Sequence, residues 1–136
     1  MTFERDPVKR LSKSNFINHL RIKPYFDENG NIALELKVDE HVLNLNETLH
    51  GGVHAALLDT IIGQSIAQQA ESPVATINLS IYYSAPAKRG STLTAKGNIV
   101  QMGKSIASGE GVITDENGVL IAKGIGAFKI LKRKTN

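Results

Sequence analysis

Apolar positions recur along this chain at two spacings. Val8, Leu11, Phe16 and Leu20 fall at helical intervals behind Asp6-Pro7, an N-cap acceptor followed by proline at the first helical position. Residues 7–20 are therefore predicted as a short amphipathic helix. Stretches 22–26 and 32–38 read as strands; the second alternates with period two, and Asp27-Glu28-Asn29-Gly30 between them is a hairpin signal. Residues 39–50 form a polar loop. Residues 51–70, rich in Ala, Leu and Ile, are the longest helical candidate, and Pro73 bars much continuation. Four strand-like stretches follow: 74–84 (Ile77, Leu79, Ile81, Tyr83), 91–101 (Leu93, Ala95, Ile99), 104–114 and 119–130, the last two joined by a turn at Asp115-Glu116-Asn117-Gly118. The order helix, two strands, long helix, four strands is that of an α+β fold, an antiparallel sheet wrapped on a buried helix. Gly97, Gly109, Gly111, Gly124 and Gly126 fall inside the later strands, where glycine marks bends or the close approach of another backbone.

Composition narrows the picture. A chain of 136 residues, 41% hydrophobic and 21% charged, fits one globular domain over 1–136, with 1–20 as an N-terminal helical extension. Cysteine is absent, which excludes disulfides, thiolate metal sites and a cysteine nucleophile, and suits a cytoplasmic protein. The opening ten residues lack the apolar core of a signal peptide, and no window is apolar for long enough to span a membrane. The net charge of +3 comes largely from Arg5, Lys9, Arg10 and Lys13 at one end and Lys129, Lys132, Arg133 and Lys134 at the other. Aromatics, 5% of residues, are not interleaved with these runs, so they read as solvated termini rather than a nucleic-acid surface. No His, Asp or Glu cluster has metal-ligand spacing.

One residue stands out on the long helix. Val53, Leu57, Leu58, Ile61, Ile62 and Ile66 cover more than half its circumference, so it is buried on most sides by the sheet and a second subunit. Between His50 and Glu71 the sole formal charge at neutral pH is Asp59, whose helical neighbours Ala55, Ala56, Ile62 and Gly63 offer no partner. Three readings compete: a solvent-facing carboxylate, one hydrogen-bonded to structural groups, or a functional carboxylate in an apolar cleft. The preceding Leu49-His50-Gly51-Gly52 sharpens the third. Glycines at a helix start admit a ligand close to the backbone, and the first helical amides point outward with the positive end of the dipole, fit to hold a carbonyl oxygen gaining charge. His50 is placed to position or protonate, and Asn44 offers an amide.

The stretch 44–60, Asn-Leu-Asn-Glu-Thr-Leu-His-Gly-Gly-Val-His-Ala-Ala-Leu-Leu-Asp-Thr, resembles the signature of hotdog-fold acyl-CoA thioesterases of the phenylacetate-pathway type. The likeness continues through 75–87, Gly90, 101–105 and the strand 119–128, covering about residues 32 to 130. The resemblance implies a hotdog fold, a long helix wrapped by a curved sheet, and hydrolysis of the thioester of acyl-CoA or acyl-carrier substrates, with no cofactor. It implies Asp59 as general base or nucleophile, His50 and Asn44 as the polar pair near thioester and water, the Gly51 amide as the donor to the carbonyl, and Thr76 as a holder of the attacking water. It implies Gly103, Lys104 and Ser105 against CoA. For the rest of substrate binding, Gly52 is expected at the helix start, and Ile62, Gly63 and Tyr82 are expected with Asp59 around an acyl pocket between the helices of two subunits. The resemblance also implies a dimer in which Asp59 of one subunit meets His50 and Gly51 of the other, and a tetramer of two dimers. Where the family commonly has glycine, three residues before the histidine, this chain has Glu47, which predicts a different bend in that loop. His54 reads as a packed or interface histidine. Two rivals stand beside the hydrolase: a non-catalytic acyl-CoA sensing module on the same fold, and a hydratase or dehydratase of hotdog architecture, whose Asp/His motif is not found.

Overall fold

A computed structural model describes residues 2–131. The basic residues Lys132, Arg133 and Lys134 lie outside the described residues. The N-terminal stretch forms two helices, α1 (Pro7–Ser12) and α2 (Asn15–His19), rather than one. Asp6 caps the first as expected, its carboxylate accepting from the amides of Val8 and Lys9. The break comes from Ser14: its hydroxyl accepts from the Ile17 amide and starts a second helix, the local competition with backbone that serine offers.

The first hairpin, β1 (Lys23–Phe26) and β2 (Ile32–Lys37), turns through Gly30 at φ 78. A short 3-10 turn at Glu40–Val42 leads to α3 (Gly51–Ala70), which ends where Glu71 adopts a left-handed conformation ahead of Pro73. The strands β3 (Val74–Tyr83), β4 (Thr92–Met102), β5 (Ile106–Thr114) and β6 (Leu120–Ile130) complete one six-stranded antiparallel sheet in the order β1-β2-β4-β5-β6-β3. This is the hotdog arrangement, with α3 lying across the concave face.

Glycine lets α3 lie that close. Register aligns Gly97, Gly111 and Gly124 in a row across β4, β5 and β6. A Cβ on Gly97 would stand 3.1 Å from the Ile61 carbonyl oxygen, and one on Gly124 3.2 Å from Leu58. Leu57, Leu58, Ile61, Ile62 and Ile66 fill the space between helix and sheet, together with Leu34, Leu93, Ile113 and Phe128.

β3 departs from simple alternation. Its pairing with β6 slips at a bulge between Thr76 and Asn78. Before the bulge Val74 packs on the core and Thr76 reaches α3; after it Leu79, Ile81 and Tyr83 do so. Ile77, expected with the inward set, is 53% exposed. The extra residue shifts the inward parity from even to odd. Without it Thr76 and Tyr83, seven residues apart, would face opposite sides of the sheet. β3 is also an edge: it pairs with β6 alone.

Candidate active site

Two clefts flank α3, and the expected site residues divide between them. Asp59, partly buried at mid-helix, lines the first, of about 300 Å³, with Gly63, Gln64, Val74, Thr76 and Phe128. Thr76 Oγ1 donates to Asp59 Oδ1 at 2.6 Å. A hydroxyl on the strand bulge therefore holds one carboxylate oxygen, and Oδ2 has no protein hydrogen bond among the described residues. Gly63 floors this cleft; a side chain there would crowd the Phe128 ring, 3.1 Å from its Cβ position.

The second cleft, also about 300 Å³, is lined by Asn44, Thr48, Gly51, His54, Tyr83 and Ser84, among others. The loop leading to it is pinned by the His50 amide to the Val42 carbonyl and the Leu49 amide to the Ala87 carbonyl, both 2.9 Å. His50 is the N-cap of α3: its Nδ1 accepts from the Gly52 amide at 2.8 Å. In the neutral ring the hydrogen then sits on Nε2, free to donate outward. The Gly51 N–H meets no acceptor among the described residues. It is an orphan first-turn amide, disposed as a carbonyl-polarising donor requires.

Asn44 works mostly on its own loop. Its Oδ1 accepts from the amides of Asn46 and Thr48, and its Nδ2 donates to Thr48 Oγ1. One Nδ2 hydrogen remains for a ligand. Glu47 sits at φ 59, the left-handed conformation that glycine adopts without cost, so the loop bends in the manner glycine would permit.

Tyr83 was not singled out by the pattern. Its hydroxyl donates to the Gly51 carbonyl at 3.0 Å, and its ring meets His54 edge-on with centroids 5.1 Å apart. It thus holds the first turn of α3 against the sheet. Its signal in sequence was a tyrosine at the end of a strand facing a helix start. His54 is packed, 4% exposed; its Nδ1 contacts the His50 carbonyl, Nε2 has no partner among the described residues, and burial pushes its pKa down from the ordinary histidine value.

The other expected residues are dispersed. Gly52 flanks Gly51 at the helix start, exposed. Ile62 is buried against β5, where it contacts Gly109 and Gly111, and does not line the Asp59 cleft. Tyr82 points to the outer face of the sheet, where it lines a hollow with Glu110, Lys123 and Ile125. Strand alternation puts it opposite Tyr83, so the expected grouping of Tyr82 with Asp59 does not form within one chain. Gly103, Lys104 and Ser105 make the tight β4–β5 connection, tied by the Gly103 amide to the Ile106 carbonyl and the Ile130 amide to the Ser105 carbonyl. They line neither cleft. Among the described residues no group of three His, Asp or Glu could hold a metal ion.

The two halves of the expected constellation cannot meet in one chain. Asp59 follows Gly51 by eight residues, which is about 12 Å along the helix axis.

Comparison with known proteins agrees with this architecture. Residues 46–122 match the model of the thioesterase superfamily. Human acyl-coenzyme A thioesterase 13 is 31% identical over 124 residues, spanning 88% of this chain and 89% of its own. A Bacillus halodurans protein solved with CoA superposes with a TM-score of 0.82 at 29% identity, over 89% of this chain and 81% of that one. The E. coli PaaI protein of the phenylacetic acid degradation operon shares the fold, with a TM-score of 0.83 at 20% identity, covering 91% of this chain and 89% of that one. The chain belongs to the thioesterase superfamily and is a thioester hydrolase.

Proposed function

We propose that Asp59, oriented by Thr76, drives hydrolysis of an acyl-CoA thioester whose carbonyl is held by the Gly51 amide of a second copy of the chain. Acyl-CoA thioester hydrolysis is the activity, and the observation that carries the residue assignment is the 2.6 Å bond from Thr76 to Asp59 at the edge of a cleft. The carboxylate either activates water or attacks the carbonyl carbon, forming an anhydride that water then cleaves; in both routes the CoA thiol leaves. The Gly51 amide stabilises the developing oxyanion, and His50 Nε2 donates to the thioester or the water. Asn44 positions the loop that carries them. Lys104 and its neighbours reach the CoA moiety.

Assembly completes the site. β3 presents an unpaired ten-residue edge bearing Ile77, and α3 presents a strip of small residues, Gly52, Ala55 and Ala56, ahead of Asp59. Edge-to-edge pairing of two β3 strands would cover the edge and bring Asp59 of one copy toward Gly51 of the other. The exposed Ile106, Ile125 and Tyr82 on the outer face of the sheet supply the surface for a tetramer of two such dimers. No helix of the described residues is long and apolar enough to cross a membrane, and the cysteine-free composition suits the cytoplasm.

The test is thiol release from a panel of short, medium, long and aromatic acyl-CoAs, run beside sedimentation. Thiol release that vanishes as the oligomer is diluted to monomer, and returns on concentration, supports the shared site. A folded, fully active monomer refutes it.

A further inference from the structure

The cleft beside Asp59 has a wall to which the proposed chemistry assigns no task. Leu11 of α1 and Phe16 and Ile17 of α2 line it, with Arg10 and Ser14. Leu11 and Ile17 are buried, but Phe16 is 59% exposed, a large aromatic at the cleft's mouth. Helices of six and five residues do not hold a conformation by themselves. These are fastened to α3: Arg10 Nε and Nη2 both donate to Gln64 Oε1, at 3.1 and 2.9 Å, and Nη1 reaches Gln68 Oε1 at 3.4 Å. A guanidinium only donates, so the Gln64 amide is fixed with its oxygen toward Arg10. Gln64 follows Asp59 by five residues, about 7.5 Å along the axis. Gly63 lies between them and adds no side chain to the floor, to which Thr60 also contributes.

We propose that α1–α2 is the acyl-selectivity element of the site: an acyl group whose carbonyl lies at Asp59 runs over Gly63 toward Val74 and Phe128 and is capped by Phe16. The inference rests on the thioesterase reading above and deepens it. The class it names is compact acyl groups that end beneath Phe16; longer chains must displace the ring. The Arg10–Gln64 latch holds the cap in place.

The experiment compares wild type with Phe16→Ala across saturated acyl-CoAs of increasing length. It reads kcat/KM by thiol release and, on an Asp59→Asn background, Kd for the same panel by calorimetry. Phe16 is surface-exposed, so its truncation leaves the fold intact, which a thermal melt checks. The ratio of long-chain to short-chain kcat/KM is expected to rise about tenfold or more in Phe16→Ala, with Kd ratios moving the same way, while Phe16→Tyr keeps the wild-type profile. An unchanged length profile in Phe16→Ala overturns the proposal. If the wild type releases no thiol from any substrate, the thioesterase reading fails separately, and the calorimetric panel still decides whether Phe16 sizes the pocket.

Discussion

Replacing Thr76 with valine isolates what the β3 hydroxyl does for Asp59. Valine keeps the volume and the β-branch that suits a strand, and removes the O–H that donates to Asp59 Oδ1 at 2.6 Å. A hydrogen bond to a charged acceptor contributes about 1.5–3 kcal/mol, and the lower end applies here because both partners retain solvent contact. A loss of about 1.4 kcal/mol is tenfold in rate when the bond serves the transition state. The assay is kcat/KM for thiol release with a thermal melt on the same preparation. Thr76→Val should lose about tenfold in kcat/KM while Tm moves only a few degrees, and Thr76→Ser should recover most of the loss. Wild-type kcat/KM in Thr76→Val, or equal damage in Thr76→Ser, would refute the assignment of Thr76 as the group that orients the carboxylate.

Other perturbations probe the frame around the site. Tyr83→Phe removes the hydroxyl that holds the Gly51 carbonyl and should cost about threefold in kcat/KM, from a neutral bond of about 0.5–1.5 kcal/mol; unchanged kinetics would show that the first turn of α3 needs no such anchor. Glu47→Gly relieves a left-handed non-glycine residue and should raise stability by about 1 kcal/mol, seen as a higher urea midpoint at constant m-value. Leu58→Ala, at a fully buried position above Gly111 and Gly124, should cost about 2–5 kcal/mol by the same titration. His54 titrates below its unfolded value because burial disfavours its charged form. The unfolded chain then binds more protons, so stability is full above about pH 6.5 and falls as pH drops. The stability difference between wild type and His54→Phe should narrow or reverse on acidification, and a pH-independent difference would contradict this.

Much of the frame was legible in sequence because it depends on local signals. The bounds of α3 follow from glycines before it and proline after it, and both hairpins follow from Asn-Gly turns. Asp59 stood out because it carries the sole charge in a long apolar helix. Thr76 was expected near the site by likeness, as a holder of water, but its direct bond to Asp59, 17 residues away, was not: it faces α3 together with Tyr83 only because of a bulge at Ile77 that no residue type announces. The single helix expected over 7–20 failed at Ser14, where a side-chain cap competes with continuation. The placement of α1–α2 beside Asp59 depends on Arg10 reaching Gln64, 54 residues away, a tertiary choice that periodicity does not encode. Tyr82 was expected with Asp59 at a pocket between two subunits; within one chain, strand parity sends it to the face opposite Asp59.

The central claim is that the carboxylate on α3 performs the cleavage. Asp59→Asn preserves shape and the Thr76 contact but removes basicity and nucleophilicity, and thiol release across the acyl-CoA panel measures the consequence. The account predicts a loss of about 10²–10⁴ in kcat on every substrate the wild type cleaves, with the oligomer and the melt unchanged. Turnover near wild type in this variant would contradict it.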